Sequence, residues 1–407
     1  MATERNRPSS SRRNTIKNII RLIPAVVIMA AMLNTASCNS SGLLQPVSSN
    51  SKTPTSTPTP GTGALAFVTN FNDGMVSSFT RNLTTGVLKL KGQVTAGAKH
   101  GPKGVVAEPN GTFVYVANNK DDNIYEFSVN QSNGKLTPLS PPSVSNGTGS
   151  GPDEIAINAA GTFLWVTGAG ANKGTVTTYG VGISGQLTAN TTKVTGLTHP
   201  FGITVDSTNS IVYVADTATG LVYSYKIGTS GALTKIGSVP DLGSPGGSPG
   251  FIAIDPLFAF IYVTDLNAGQ LSVLGTNSGT LSFSSLMPSN TTGNKPIGIG
   301  YATLSSGNFV YTANQGNSSL WSFPLPTAGH PSQPVEFGTG NLNAPTGLVV
   351  DPQNAFLYTT NQNAGTVSQF SLSPTCSPAP PPCFVGNVAT ESPANSASGA
   401  FGITLAQ

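Results

Sequence analysis

The sequence predicts an all-β protein, a seven-bladed β-propeller with four antiparallel strands per blade, closed when the C-terminal strand completes blade one. Three observations predict it. Only 9% of the 407 residues are charged, whereas glycine (47) and proline (31) are plentiful. Amphipathic helices need many Lys, Glu and Arg on their wet faces, so helical bundles and solenoids are excluded, and a β-rich chain with many tight turns is favoured. A short strand-like signature recurs at a period near 48 residues, which is the mark of propeller blades or a similar array. Finally, the chain stops on a strand whose partner is missing downstream.

The N-terminal 37 residues read as a signal peptide of lipoprotein type. A basic, Ser-rich stretch precedes the apolar run Leu22–Leu33, and Asn34-Thr-Ala-Ser-Cys38 follows. Twelve residues are too few to span about 30 Å of hydrocarbon, which takes roughly 20, but they fit a signal h-region. Thr35-Ala36-Ser37-Cys38 resembles a bacterial lipobox, which makes Cys38 the expected lipidation site; cleavage near Ala36 or a short uncleaved anchor are the alternatives. Ser11–Lys17, with Arg12-Arg13, resembles a twin-arginine export motif, and a generic positive n-region reads equally well. Either route exports the chain. Residues 38–63 form a Ser/Thr/Pro-rich linker with little to bury.

Six of the 19 basic residues and one of the 16 acids precede residue 38, leaving 13 basic against 15 acidic residues, a net −2. Without a basic patch on the folded part, nucleic-acid binding is excluded. Three cysteines are present. With Cys38 lipidated, Cys376 and Cys383 remain to close a short Pro-rich loop as a disulfide in an oxidising compartment. A metal site there would need two further ligands, and no His or further Cys lies nearby in sequence.

Residues 64–407 carry the repeat. The signature aromatic-Val/Thr-Thr/Ala-Asn/Asp begins at Phe67, Tyr115, Trp165, Tyr213, Tyr262, Tyr311 and Tyr358, with Gly replacing Asn/Asp once, at Gly168. Before it stands an apolar inner strand, introduced in several repeats by a Pro-x-Gly-like lead-in, as in Gly202-Ile-Thr-Val205 or Gly347-Leu-Val-Val350. After it come an Asn/Asp/Gly loop, an alternating third strand such as Ile124–Val129, and a Ser/Asn-Gly turn into an outer strand. The first repeat lacks an inner strand, while Phe401-Gly-Ile-Thr-Leu405 echoes Phe201-Gly-Ile-Thr-Val205 with no signature behind it. Pairing the two closes the ring and removes the exposed edges.

FVTN, YVAN and YVTD, in repeats of this length with Pro-x-Gly-Ile lead-ins, resemble the YVTN-type propellers and the seven-bladed lactonase family, which includes 6-phosphogluconolactonases. NHL-repeat propellers share the general pattern. The resemblance covers about 64–407. It implies a closed propeller and, for members that are enzymes, opening of a lactone ring by His and Glu with arginines. His199-Pro200-Phe201-Gly202-Ile203 matches the family's His-Pro lead-in, and Glu154 would be its acidic partner. No arginine matches, because Arg81 is the only one after residue 37 and belongs to the opposite face.

In a four-stranded meander, the loops from outer to next inner strand share one face with the loops between second and third strands. That face rings the central channel, a natural concave site. His100, Lys103, Asp153, Glu154, His199 and Lys295 all fall there. Lactone opening needs a base and an oxyanion donor; His199 or His100 would be the base with Glu154 as acidic partner, and Lys103 or Lys295 the cation, with Asp153 beside them as a further ligand-binding group. The plainer readings are loop caps: His199 as a donor to a neighbouring carbonyl, Asp206, Asp255 and Asp351 as turn residues, and the Asn/Asp ends of the signature strands as partners of loop backbone. No cofactor is expected, although those oxygens could hold a hard cation such as calcium. The signature aromatics read as blade packing, with carbohydrate stacking as the alternative. The expected function is thus an exported, lipid-anchored propeller of the bacterial envelope, periplasmic or at the surface. It would bind a small molecule, glycan or protein at the inter-blade mouth; lactone hydrolysis is the alternative.

Overall fold

The computed structural model describes residues 64–406 except 172–173, 207, 209, 244, 258, 289–294, 375–381 and 392–398. The signal segment, the linker and Cys38 therefore lie outside the described residues, as does Cys376. Cys383, which opens the outer strand of blade seven, is disulfide-bonded.

The described chain forms seven four-stranded antiparallel sheets, and no helix occurs among these residues. Six blades run in chain order from inner to outer strand. Blade one is composite: its inner strand is Ala400–Ala406, paired with the signature strand Leu65–Asn70. The other inner strands are Pro102–Ala107, Pro152–Ile157, Pro200–Val205, Pro249–Ile254, Pro296–Leu304 and Pro345–Val350, for blades two to seven. Each inner strand packs against those of the blades on either side, and the C-terminal strand touches blades seven and two, so the ring is sealed.

Two devices join the blades, and both come from the signature. Its aromatic residue is buried and reaches the next blade. Tyr115 and Tyr358 donate to the carbonyls of Gly185 and Gly86, Trp165 Nε1 donates to that of Gly231, and Tyr262 Oη accepts from Gly329 N–H. Tyr115, Trp165, Tyr262 and Tyr358 have no exposed surface. They are packing residues and offer no stacking platform.

The third signature position alternates between Thr and Ala. Just after its opening residue the pairing register of each inner strand slips, leaving backbone groups outside the ladder. Thr69, Thr167, Thr264 and Thr360 use them. Thr360 Oγ1, for example, accepts from Gly347 N–H at 2.8 Å in its own blade and donates to the Phe401 carbonyl at 2.6 Å in the next. Thr69, Thr167 and Thr264 repeat the pattern toward Lys103, Phe201 and Ile297. Ala117, Ala215 and Ala313 have no hydroxyl, so the clasp is made by blades one, three, five and seven.

On the face away from the inner-strand starts, Arg81 Nη1 meets Asp351 Oδ2 at 2.7 Å, with both side chains buried. The only arginine of the folded part therefore ties blade one to blade seven. The turn aspartates behave as loop residues: Asp351 Oδ1 accepts from Ala355 and Phe356 N–H, Asp206 from Ser210 and Asp255 from Ala259.

Candidate functional site

The front face of the ring carries the starts of the inner strands. In every blade the residue after the signature donates its N–H to the carbonyl of the residue before the inner strand, as in Asn119 to Gly101, Thr217 to His199 and Gln315 to Lys295. His199 and Lys295 thus occupy equivalent loop positions in blades four and six. Both side chains are exposed on the rim. Lys295 adopts a left-handed φ of 42°, and His199 N–H is held by Asp216 Oδ1. His100 is also exposed, and its Nδ1 is engaged by the Asn72 carbonyl of blade one. Among the described residues neither histidine makes a hydrogen bond or ion pair to Glu154. The signature ends serve their loops: Asp216 accepts from Thr198 and His199, Asp265 from Ser248, Asn267 and Ala268. Among the described residues no three His, Cys, Asp or Glu side chains form a metal-binding group.

What the fold does bring together is Lys103, Asp153 and Glu154. Lys103 is the second residue of its inner strand and Asp153 the second of the next one, so the ammonium reaches across the blade joint to Asp153 Oδ1. Asn119 Nδ2 adds a hydrogen bond to the same oxygen at 3.1 Å. Asp153 is 1% exposed. Glu154 stands at the third position, where blades one, two, four, six and seven have glycine. At Gly104 a Cβ would lie 2.7 Å from the Asp153 carbonyl and 3.1 Å from Glu154 Oε2, so glycine there lets the neighbouring inner strand and its carboxylate close in.

Glu154 Oε1 is buried and has no hydrogen-bond partner. Burial, and next the Asp153 charge, push its carboxyl up to about 8, with Lys103 acting in the opposite direction. At neutral pH this group keeps a proton it can donate, beside an ion pair whose charges cancel. The adjoining arc of the mouth is aromatic: Phe201 and Phe251, from the next two blades, meet edge to face at 5.0 Å. Phe251 is the second residue that replaces the third-position glycine.

Asn119, Phe201 and Phe251 were not singled out from sequence as site residues. The signal was there: aligning the inner strands leaves Glu154 and Phe251 as the two departures from glycine. A recess of about 500 Å³ lies on the opposite face among Leu83, Asn354 and Phe356. None of its described lining residues is ionisable.

Sequence comparison agrees with this architecture. The family model described as "Lactonase, 7-bladed beta-propeller" matches residues 59–148, 139–253, 164–296 and 251–377. The chain belongs to the seven-bladed β-propeller lactonase family. No curated protein matches this lactonase-family chain in sequence. Among solved structures it is similar to a candidate 6-phosphogluconolactonase from Bacteroides fragilis, 14% identical over 87% of this chain and 100% of that one, with a TM-score of 0.71. It is similar also to the periplasmic gluconolactonase of Pseudomonas aeruginosa, at 15% identity over 84% and 99%, TM-score 0.70. A Lactobacillus plantarum protein matches at 18% identity over 84% and 99%, TM-score 0.66. Identities this low speak for the shared fold alone.

Proposed function

We propose that the front mouth of this lactonase-family propeller binds a neutral, polyhydroxylated small molecule of sugar-lactone size. The reading rests on one observation, the buried and unpartnered Glu154 Oε1 beside the Lys103–Asp153 pair. A protonated carboxyl donates, the ion pair and Asn119 offer both donors and acceptors, and the edges of Phe201 and Phe251 suit the apolar face of a sugar ring. The Lys103 charge is shared with Asp153, so this pair favours a neutral ligand over a phosphorylated one. The chain is expected to work outside the cytoplasm, tethered to a membrane through Cys38, and its similarity to a periplasmic gluconolactonase supports that placement.

Hydrolysis of a bound lactone is the second reading, and the Glu154 value of about 8 favours it. In its minor ionised form such a carboxyl takes a proton from the water that attacks the lactone carbonyl, and returns it to the ring oxygen as the acyl–oxygen bond breaks. Lys103 would then steady the oxyanion. The histidines have no part in this version, since His100 is engaged elsewhere and His199 lies on the exposed rim.

A panel of five- and six-membered aldonolactones, phosphorylated and not, separates these readings. Binding of the neutral lactones by calorimetry without acid release supports the binding module. Acid release in a pH-stat, abolished by Glu154→Gln, supports the hydrolase. Absence of both binding and turnover would overturn both.

A further inference from the structure

We propose that the rear mouth of the channel is a second and separate binding site, selective for a small alkylammonium ion. There the ends of five neighbouring inner strands open a recess of about 410 Å³. Val106, Ile157, Val205, Ile254 and Leu405, one from each of blades two, three, four, five and one, form its apolar wall. Removing alkyl surface from water against such a wall is favourable at roughly 25 cal/mol per Å².

The polar part of the recess has one sign. Among its described lining residues Glu108 and Asp206 are the ionisable ones, with no Lys, Arg or His. Asp206 is already occupied, its Oδ1 accepting from Ser210 N–H at 2.9 Å and from Thr208 Oγ1 at 2.9 Å. Glu108 is different: its Oε2 is buried with no hydrogen-bond partner. Burial raises the Glu108 carboxyl above its ordinary 4.5, with a hydrogen bond from Asn110 acting against the rise. An idle, desolvated carboxylate oxygen at the edge of an aliphatic wall matches a cationic donor with an apolar tail. A primary ammonium brings three donors and no acceptor, and its charge compensates that of Glu108. An anionic ligand, including the acid released by any lactone, would face two carboxylates and no cation. The two mouths therefore select opposite chemistries.

The test uses the whole protein and three probes of one length: hexylammonium, hexanol and hexanoate. Calorimetric titration should rank the amine about tenfold tighter than the alcohol, as expected for a charge-assisted hydrogen bond, with hexanoate not binding. Glu108→Gln should bring the amine to the level of the alcohol while leaving hexanol binding, and lactone binding at the front mouth, unchanged. Retained hexanol binding certifies that this variant is folded. Should it fail to fold, the ranking of the three probes on the native protein still decides the matter. Equal affinities for amine and alcohol, no binding of either, or amine binding indifferent to Glu108→Gln would overturn the proposal.

Discussion

Replacing Glu154 with glutamine interrogates the site through stability, independently of any ligand. Burial and Asp153 hold the carboxyl at about 8, against 4.5 in the unfolded chain. Between those values the folded protein keeps a proton that the unfolded chain has lost. The sign follows: this group's contribution is present in full below pH 4.5 and is lost as pH rises through 8. A gap of about 3.5 pH units at 1.36 kcal/mol each sets a ceiling of about 5 kcal/mol. Glu154 is partly exposed, and solvent screening should leave roughly half, about 2–3 kcal/mol. Glutamine has the shape of the protonated acid but nothing to ionise. Urea unfolding followed by the fluorescence of Trp165 and Trp321 should therefore give similar midpoints for the two proteins at pH 5. At pH 9 the variant should be the more stable by that margin, while its lactone binding falls. Parallel stability curves across this range would refute the reasoning, and so would a variant weaker than wild type at pH 9.

Other consequences are open to simpler measurements. Arg81→Met leaves Asp351 buried without its 2.7 Å partner and should cost about 3–5 kcal/mol, read from the urea midpoint. Thr360→Val unpairs Gly347 N–H and leaves the Phe401 carbonyl with Thr346 Oγ1 as its side-chain donor; a loss of about 1–3 kcal/mol is expected, with faster amide exchange across 400–406, and unchanged exchange would contradict the clasp. Deleting residues 400–407 bares one edge of the Leu65–Asn70 strand and should shift the protein to higher mass in light scattering. Cys38→Ala should abolish labelling of the protein in cells by a radioactive fatty acid.

The fold was legible because its information is periodic. Seven copies of one signature, an orphan strand at the end and a missing one at the start determine both blade count and closure without any long-range guess. The mouth was less legible, since its geometry arises between repeats. Lys103 and Asp153 stand 50 positions apart in sequence, and only the equivalence of their places in successive inner strands brings them together. His199 and Lys295 draw the eye as reactive residues beside proline, yet their position one step before the strand leaves them on the rim. Glu154 looked like one acid among several. Its distinction is that it replaces a glycine needed elsewhere for close approach of neighbouring strands, and this shows only once the strands are superposed. The alternating Thr and Ala of the signature were visible from the start. That they mark joints with and without a hydroxyl clasp depends on the register slip, which no residue pattern announces.

The most direct measurement is a crystal structure of the protein soaked with a neutral aldonolactone. The account predicts the lactone at the front mouth, with one oxygen within hydrogen-bond reach of Glu154 Oε1 and Lys103 Nζ, and its ring against Phe201 and Phe251. A lactone seated only on the rear face, or none seated at saturating concentration, would contradict it.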